Sequence, residues 1–165
     1  MPYWSWNSFL GDNFLGGYAF YTVGSPFVWI ATLFPENHIL QGITASILLK
    51  FFVCGITSFL YFRIFIKKPI YAIIGSLLYT FSSFTILNTQ FNHFTDVIAL
   101  FPLIPTALEL RLYKKKRIPG LLTFAVFINL LTNYYFFVSS GIFIVIYALF
   151  RFKSGDWAGN KRNDY

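Results

Sequence analysis

An all-α, polytopic transmembrane helical bundle is the fold class this sequence predicts, and three observations predict it. Twelve of the thirteen Lys and Arg residues fall into four clusters: Arg63/Lys67/Lys68, Arg111 with Lys114 to Arg117, Arg151/Lys153, and Lys161/Arg162. Long apolar segments rich in Phe, Ile and Leu separate the clusters. Charged residues make up only 12% of the chain, against about 25% in a soluble domain. Lys and Arg in short loops are retained on the cytoplasmic side of a membrane. The basic clusters therefore mark the inside, and the base-free stretches carrying Asp12, Glu36 and Asp96 mark the outside. The expected location is the cell membrane, with an extracellular N-terminal loop (1–38), a membrane region (39–153) and a cytoplasmic tail (154–165). The net charge of +7 is a topological signal and a contact with anionic lipid headgroups, so membrane lipids are expected partners and nucleic acid is not. Cys54 stands alone in an apolar run, which excludes a disulfide framework and a thiolate metal set.

Residues 1–38 carry Trp4, Trp6, Tyr3, Tyr18, Tyr21 and Trp29, aromatic residues suited to the bilayer interface. Gly11, Gly16, Gly17, Gly24 and Ser25-Pro26 interrupt any long helix, so short interfacial helices joined by turns are expected. The stretch has no basic n-region and is not a signal peptide. A first span runs from about Ile39 to Phe62, inward, and ends at Arg63. Lys68-Pro69 opens a second, from about Ile70 to Leu87, with proline in the first turn where a missing N–H costs least. Asn88 to Asp96 is read as an exposed turn. The third segment, Val97 to Tyr113, contains Phe101-Pro102-Leu103-Ile104-Pro105, and two such prolines should kink or unwind it. Inside a membrane that break must be buried in protein or face a wet cavity.

Residues 118–150 are too long for one upright span and too short for two full ones, and both flanks are basic. A hairpin of two short helices is expected, about Pro119 to Leu131 and Phe136 to Phe150, with Thr132-Asn133-Tyr134-Tyr135 at a tip below the outer surface. A single strongly tilted helix is the alternative.

The run Trp4-Ser5-Trp6-Asn7, then Leu10-Gly11-Asp12-Asn13-Phe14, Gly17-Tyr18-Ala19-Phe20-Tyr21 and Ser25-Pro26-Phe27 resembles the first extracellular loop of the YfhO family of bacterial membrane proteins. Leu49-Lys50, Leu78 to Phe84, Asn92-His93-Phe94-Thr95-Asp96-Val97, Pro102-Leu103 and Asn133-Tyr134-Tyr135 continue the resemblance in order over nearly the whole chain. It implies a GT-C-type membrane glycosyltransferase. Such an enzyme takes a sugar from a polyprenyl-phosphate carrier and adds it, outside the cytoplasm, to a cell-envelope polymer such as teichoic acid. No cofactor is implied. Family members are several times longer and carry a preceding helix whose outer end supplies an acidic residue expected to be catalytic. The resemblance therefore implies a GT-C-like fragment.

Transfer from a lipid phosphate needs a carboxylate to take the acceptor proton and positive charge facing the leaving phosphate. Asp12 and Asp96 are the outward carboxylates nearest the motif residues, and His93 sits three residues before Asp96. The blander readings are a turn role for Asp12 and a helix-capping role for Asp96. One His and one Asp do not make a metal site. Lys50 is the one base within an apolar span. Intramembrane charge is functional or paired, so Lys50 either faces the carrier phosphate, snorkels to headgroups or pairs with a carboxylate. Tyr134 and Tyr135 either bind sugar or phosphate at the hairpin tip or belong to the aromatic belt. Asn92 and Asn133 join them as substrate-binding candidates from the resembling motifs. A small multi-pass carrier or flippase, or an inactive non-enzymatic membrane subunit, is the alternative function.

Overall fold

The computed structural model describes residues 4–5, 12–13, 23–112 and 118–154. In chain order they form β1 (Trp4–Ser5), β2 (Asp12–Asn13), α1 (Pro26–Ala31), a 3-10 turn (Glu36–His38), α2 (Ile39–Phe65), α3 (Pro69–Thr80), α4 (Ser83–Asn88), α5 (Asn92–Leu100), α6 (Leu103–Leu112), α7 (Leu121–Thr132) and α8 (Tyr134–Lys153). Three stretches are long and apolar enough to cross a membrane: Glu36–Phe65, Asn92–Leu112 and Tyr134–Lys153. The chain is thus an all-α membrane bundle apart from the β1/β2 pair, which joins Trp4 to Asn13 and Ser5 to Asp12 antiparallel. That pair replaces helix at the start of the expected interfacial loop.

Polarity is distributed as lipid solvent requires. Leu48, Phe52, Phe84, Ile142 and Phe150 are exposed, whereas Lys50, Asp96, Glu109 and Asn129 are buried. On α2 the buried stripe is Gly42, Ser46, Lys50, Cys54, Thr57 and Ser58, spaced by three or four residues, and on α3 it is Ala72, Ser76 and Thr80. Small residues on facing helices let backbones approach closely where no hydrophobic effect drives association. Accordingly α2 packs along α3, and also against α1, α5 and α6.

The second span is two helices instead of one. Ser82 adopts an extended backbone and its hydroxyl caps the Thr85 N–H, while the Thr85 hydroxyl reaches the Tyr79 carbonyl. The break is local side-chain chemistry competing with the helix ladder. The third segment starts five residues earlier than expected, at Asn92, so Asp96 lies inside α5 and neither caps a helix nor belongs to an exposed turn.

The expected proline break is present between α5 and α6 and is enclosed by protein. Prolines cannot donate to the preceding turn, and the carbonyls left there receive side-chain donors from three other helices. Tyr79 of α3 donates to Ile98 at 3.1 Å, Thr57 of α2 to Ala99 at 2.7 Å, and Asn129 of α7 to Leu100 at 3.1 Å. Ile98, Ala99 and Leu100 are all buried. Satisfaction of freed backbone by neighbouring helices is what permits such a break in a bilayer.

Residues 121–153 turn back on themselves. Ala125 packs with Ile104 and Ala107, Asn129 reaches Leu100, and after Asn133 the chain returns with Phe136 on Phe94, Phe143 on Phe101 and Tyr147 on Glu109. The tip is Asn133, whose extended backbone ends α7 and whose Oδ1 caps α8 at the Phe136 N–H, 3.2 Å away. The second arm is longer than expected: at 20 residues it is about 30 Å long. No residue between Tyr134 and Lys153 stops it, and Arg151 and Lys153 suit its C-terminal dipole.

Candidate functional site: a buried ion pair between α2 and α5

Lys50 lies eleven residues after the start of α2, roughly 16 Å along its axis, on the face covered by α5. Its Nζ is 2.5 Å from Asp96 Oδ1 and 2.8 Å from the Asn92 carbonyl oxygen, and it also donates to Asn92 Oδ1. These three acceptors match the three N–H donors of an ammonium group. Residues 92 and 96 are one helical turn apart, so a helix beginning at Asn92 presents both oxygens to the same amine. The Phe27 ring of α1 lies 5.7 Å from Lys50 Nζ, within cation–π range. Lys50 and Asp96 are both fully buried. The pairing reading of Lys50 therefore holds.

Asp96 is less completely satisfied than its partner. Lys50 Nζ and the Ser25 hydroxyl are the donors beside its carboxylate, and neither meets it in good hydrogen-bond geometry. Up to four acceptor sites are available on an ionised carboxylate. Buried polar groups are almost always paired, and unused acceptor capacity at such a site calls for an explanation.

The other sequence candidates divide into neighbours and non-neighbours of this pair. Asn92 is part of it. His93 is half-buried beside it, close enough to feel the charges of both Asp96 and Lys50, and its ring meets Phe94 edge-on at 4.4 Å. Phe94 in turn meets Phe136 of the hairpin tip at 4.8 Å. Asn133 is buried, with its Nδ2 unpaired. Tyr134 and Tyr135 are exposed, 61% and 69%, and neither is in contact with Lys50 or Asp96. Asp12 pairs its backbone with Ser5; its side chain lies outside the described residues. Among the described residues no three of His, Cys, Asp and Glu gather at one place.

A second polar cluster escaped the sequence. Glu109 of α6, fully buried, accepts from Arg151 Nε and Nη2 at 2.8 Å each and from the Tyr147 hydroxyl, which Tyr61 approaches at 3.3 Å. This fork ties α8 to α6 near the basic end of the bundle. Glu109 was legible only as a lone acid in an apolar run, and Arg151 only as a topological anchor.

The family model for the bacterial membrane protein YfhO matches residues 2–163. No curated protein and no solved structure matches the chain. With a match over nearly its full length, and an all-helical membrane bundle to accompany it, the chain belongs to the YfhO family of bacterial membrane proteins.

Proposed function

We propose that the chain serves a membrane glycosyltransferase that moves a sugar from a polyprenyl-phosphate carrier to a hydroxyl of a cell-envelope polymer. The observation that carries this reading is the fully buried Lys50–Asp96 pair, whose carboxylate has acceptor capacity unused. Ionisable groups inside membrane segments are costly and mark substrate pathways. The pair is suited to exchange. A carrier phosphate entering beside Lys50 replaces Asp96 as its counter-ion, and the released carboxylate takes the proton of the acceptor hydroxyl. The acceptor oxygen then bonds to the anomeric carbon, the carbon–oxygen bond to the phosphate breaks, and Lys50 stabilises the charge left on that phosphate. Asn92 holds the amine in place through its side-chain and main-chain oxygens.

A structural reading has its own supporting observation, because Lys50 already has an acceptor for every donor. The two separate in a transfer assay using membranes that carry the native protein and a polyprenyl-phosphate-linked labelled sugar. Asp96→Asn keeps the shape and removes the base, and should lower transfer by about 100-fold or more without raising the donor concentration needed, since the phosphate no longer competes with a carboxylate for Lys50. Asn92→Ala should raise the donor concentration needed for half-maximal rate. Transfer by Asp96→Asn at the rate of the unaltered protein removes Asp96 from the chemistry and favours the structural, carrier or subunit readings.

A further inference from the structure

Away from the Lys50 site, at the basic end of the bundle, two adjoining cavities share Leu110, Ile118 and Leu121. One, of about 670 Å³, lies between α2, α6 and α7 and is lined by Leu60, Ile64 and Leu103, with Arg63 among its wall residues. The other, of about 350 Å³, adds Arg111 and the Gly120 to Thr123 start of α7. The volumes lie in the range of ligand pockets, about 300–1,000 Å³. The larger cavity is walled almost wholly by apolar groups, the smaller by polar and apolar groups in similar measure, and the two charged groups are both guanidinium.

Those guanidinium groups have donors to spare. Among the described residues Arg63 bonds through Nη1 alone, to the carbonyls of Ile66 and Lys67 that end its own helix. Among the described residues Arg111 makes no hydrogen bond or ion pair, and the nearby carboxylate of Glu109 is engaged by Arg151. Gly120 provides no side-chain cap for the start of α7, and Gly120 to Thr123 line the same cavity. An aliphatic cleft with a guanidinium rim matches a molecule with hydrocarbon chains and a phosphate at one end. Basic pockets between membrane helices have this relation to anionic headgroups.

From this arrangement we infer that the cleft between α2, α6 and α7, together with the adjoining cavity at the start of α7, is a binding site for one anionic phospholipid, with its phosphate between Arg63 of the one and Arg111 of the other and an acyl chain against Leu60, Leu110 and Leu121. The site is separate from the Lys50–Asp96 pair and independent of any transfer reaction. Its occupant is a lipid and not free phosphate, because most of the wall is aliphatic and only hydrocarbon gains by covering it.

Native mass spectrometry of the protein, released from vesicles of equimolar phosphatidylglycerol and phosphatidylcholine, reads the site directly. The expected result is one retained phosphatidylglycerol in preference to phosphatidylcholine. Each arginine is worth about five-fold at a membrane surface, so R63Q/R111Q should lower that preference by roughly 25-fold. K67Q/K68Q, which removes two basic residues that do not line the cleft, should leave the preference within about two-fold. A thermal melt adds a second arm, in which phosphatidylglycerol raises the melting temperature and inorganic phosphate does not. Equal losses in both double variants would replace the site by diffuse surface charge, and equal stabilisation by inorganic phosphate would replace the lipid by an ion. Cross-linking of L60C to another polypeptide, in a Cys54→Ser background, would show that protein covers the cleft. Any of these three results overturns the proposal.

Discussion

Lys50 and Asp96 are stable in a membrane interior only together. Desolvating two charges costs several kcal/mol each, and their attraction offsets this when the geometry is good and the remaining donors are satisfied. Lys50 meets that condition with Asp96 Oδ1 and both oxygens of Asn92. Removing one partner leaves the other buried and uncompensated. Lys50→Met should therefore lower stability by about 3–5 kcal/mol, and Lys50→Met with Asp96→Leu should recover most of the loss, as read from detergent unfolding curves. Equal destabilisation in single and double variants would show that the two residues do not compensate each other. Part of this was legible in the residues alone: one Lys in an apolar run implies a partner, and Asp96 was already among the candidates. Its pairing with Asn92 was not legible, because it depends on α5 starting at Asn92 in place of Val97, a boundary that no strong capping residue marks.

At the scale of elements, three breaks shape the bundle, at Ser82, at Pro102 and at Asn133, and the proline break is held by side chains from elsewhere. The α5/α6 break follows from Pro102 and was expected; its three donors, Tyr79, Thr57 and Asn129, come from helices 19 to 42 residues away in sequence, and no local pattern announces them. Thr57→Val keeps the shape but leaves the Ala99 carbonyl without its 2.7 Å donor, and should cost about 1–3 kcal/mol. Thr44→Val, at an exposed hydroxyl bonded within its own helix, should change stability by less than about 0.5 kcal/mol. Comparable losses from both would mean that the Ala99 contact contributes nothing special. The hairpin break at Asn133 was legible because both flanks are basic. The length of α8 was not, since its anchor is the Glu109–Arg151–Tyr147 fork far from the tip. None of α8's side chains is fully buried, so this fork is a main constraint on its C-terminal half. Glu109→Ala should speed amide hydrogen exchange over residues 145–153 while leaving 121–132 unchanged; uniform exchange across both arms would assign the fork no particular role. Near the tip, a Cβ on Gly24 would sit 1.8 Å from the Leu131 carbonyl oxygen, so Gly24→Ala should dislodge the turn before α1 from α7.

For the whole molecule, one solvent explains the composition and the packing. Lipid accepts the exposed Phe, Leu and Ile residues and excludes polar groups, which therefore line the contacts between helices. The charge map predicts an orientation, with Gln90 outside and Lys68 inside, and cysteine labelling of intact cells at those two positions, in a Cys54→Ser background, checks it: a membrane-impermeant reagent should modify position 90 and spare position 68, and the reverse pattern would invert the orientation. Class, the basic-flanked spans and the proline break can be read from such a chain because charge and proline act locally, while the break at Ser82, the start of α5 at Asn92 and the pairings that close the bundle appear only when the chain is folded. The central claim is that the Lys50–Asp96 pair acts in sugar transfer and is not only a clasp between α2 and α5. Sugar transfer by the Lys50→Met/Asp96→Leu variant tests it most directly, because pairing two apolar residues preserves the packing while removing both charges. The account predicts that this variant unfolds near the midpoint of the unaltered protein yet transfers sugar about 100-fold more slowly or worse. Transfer at the unaltered rate in that folded variant would contradict it.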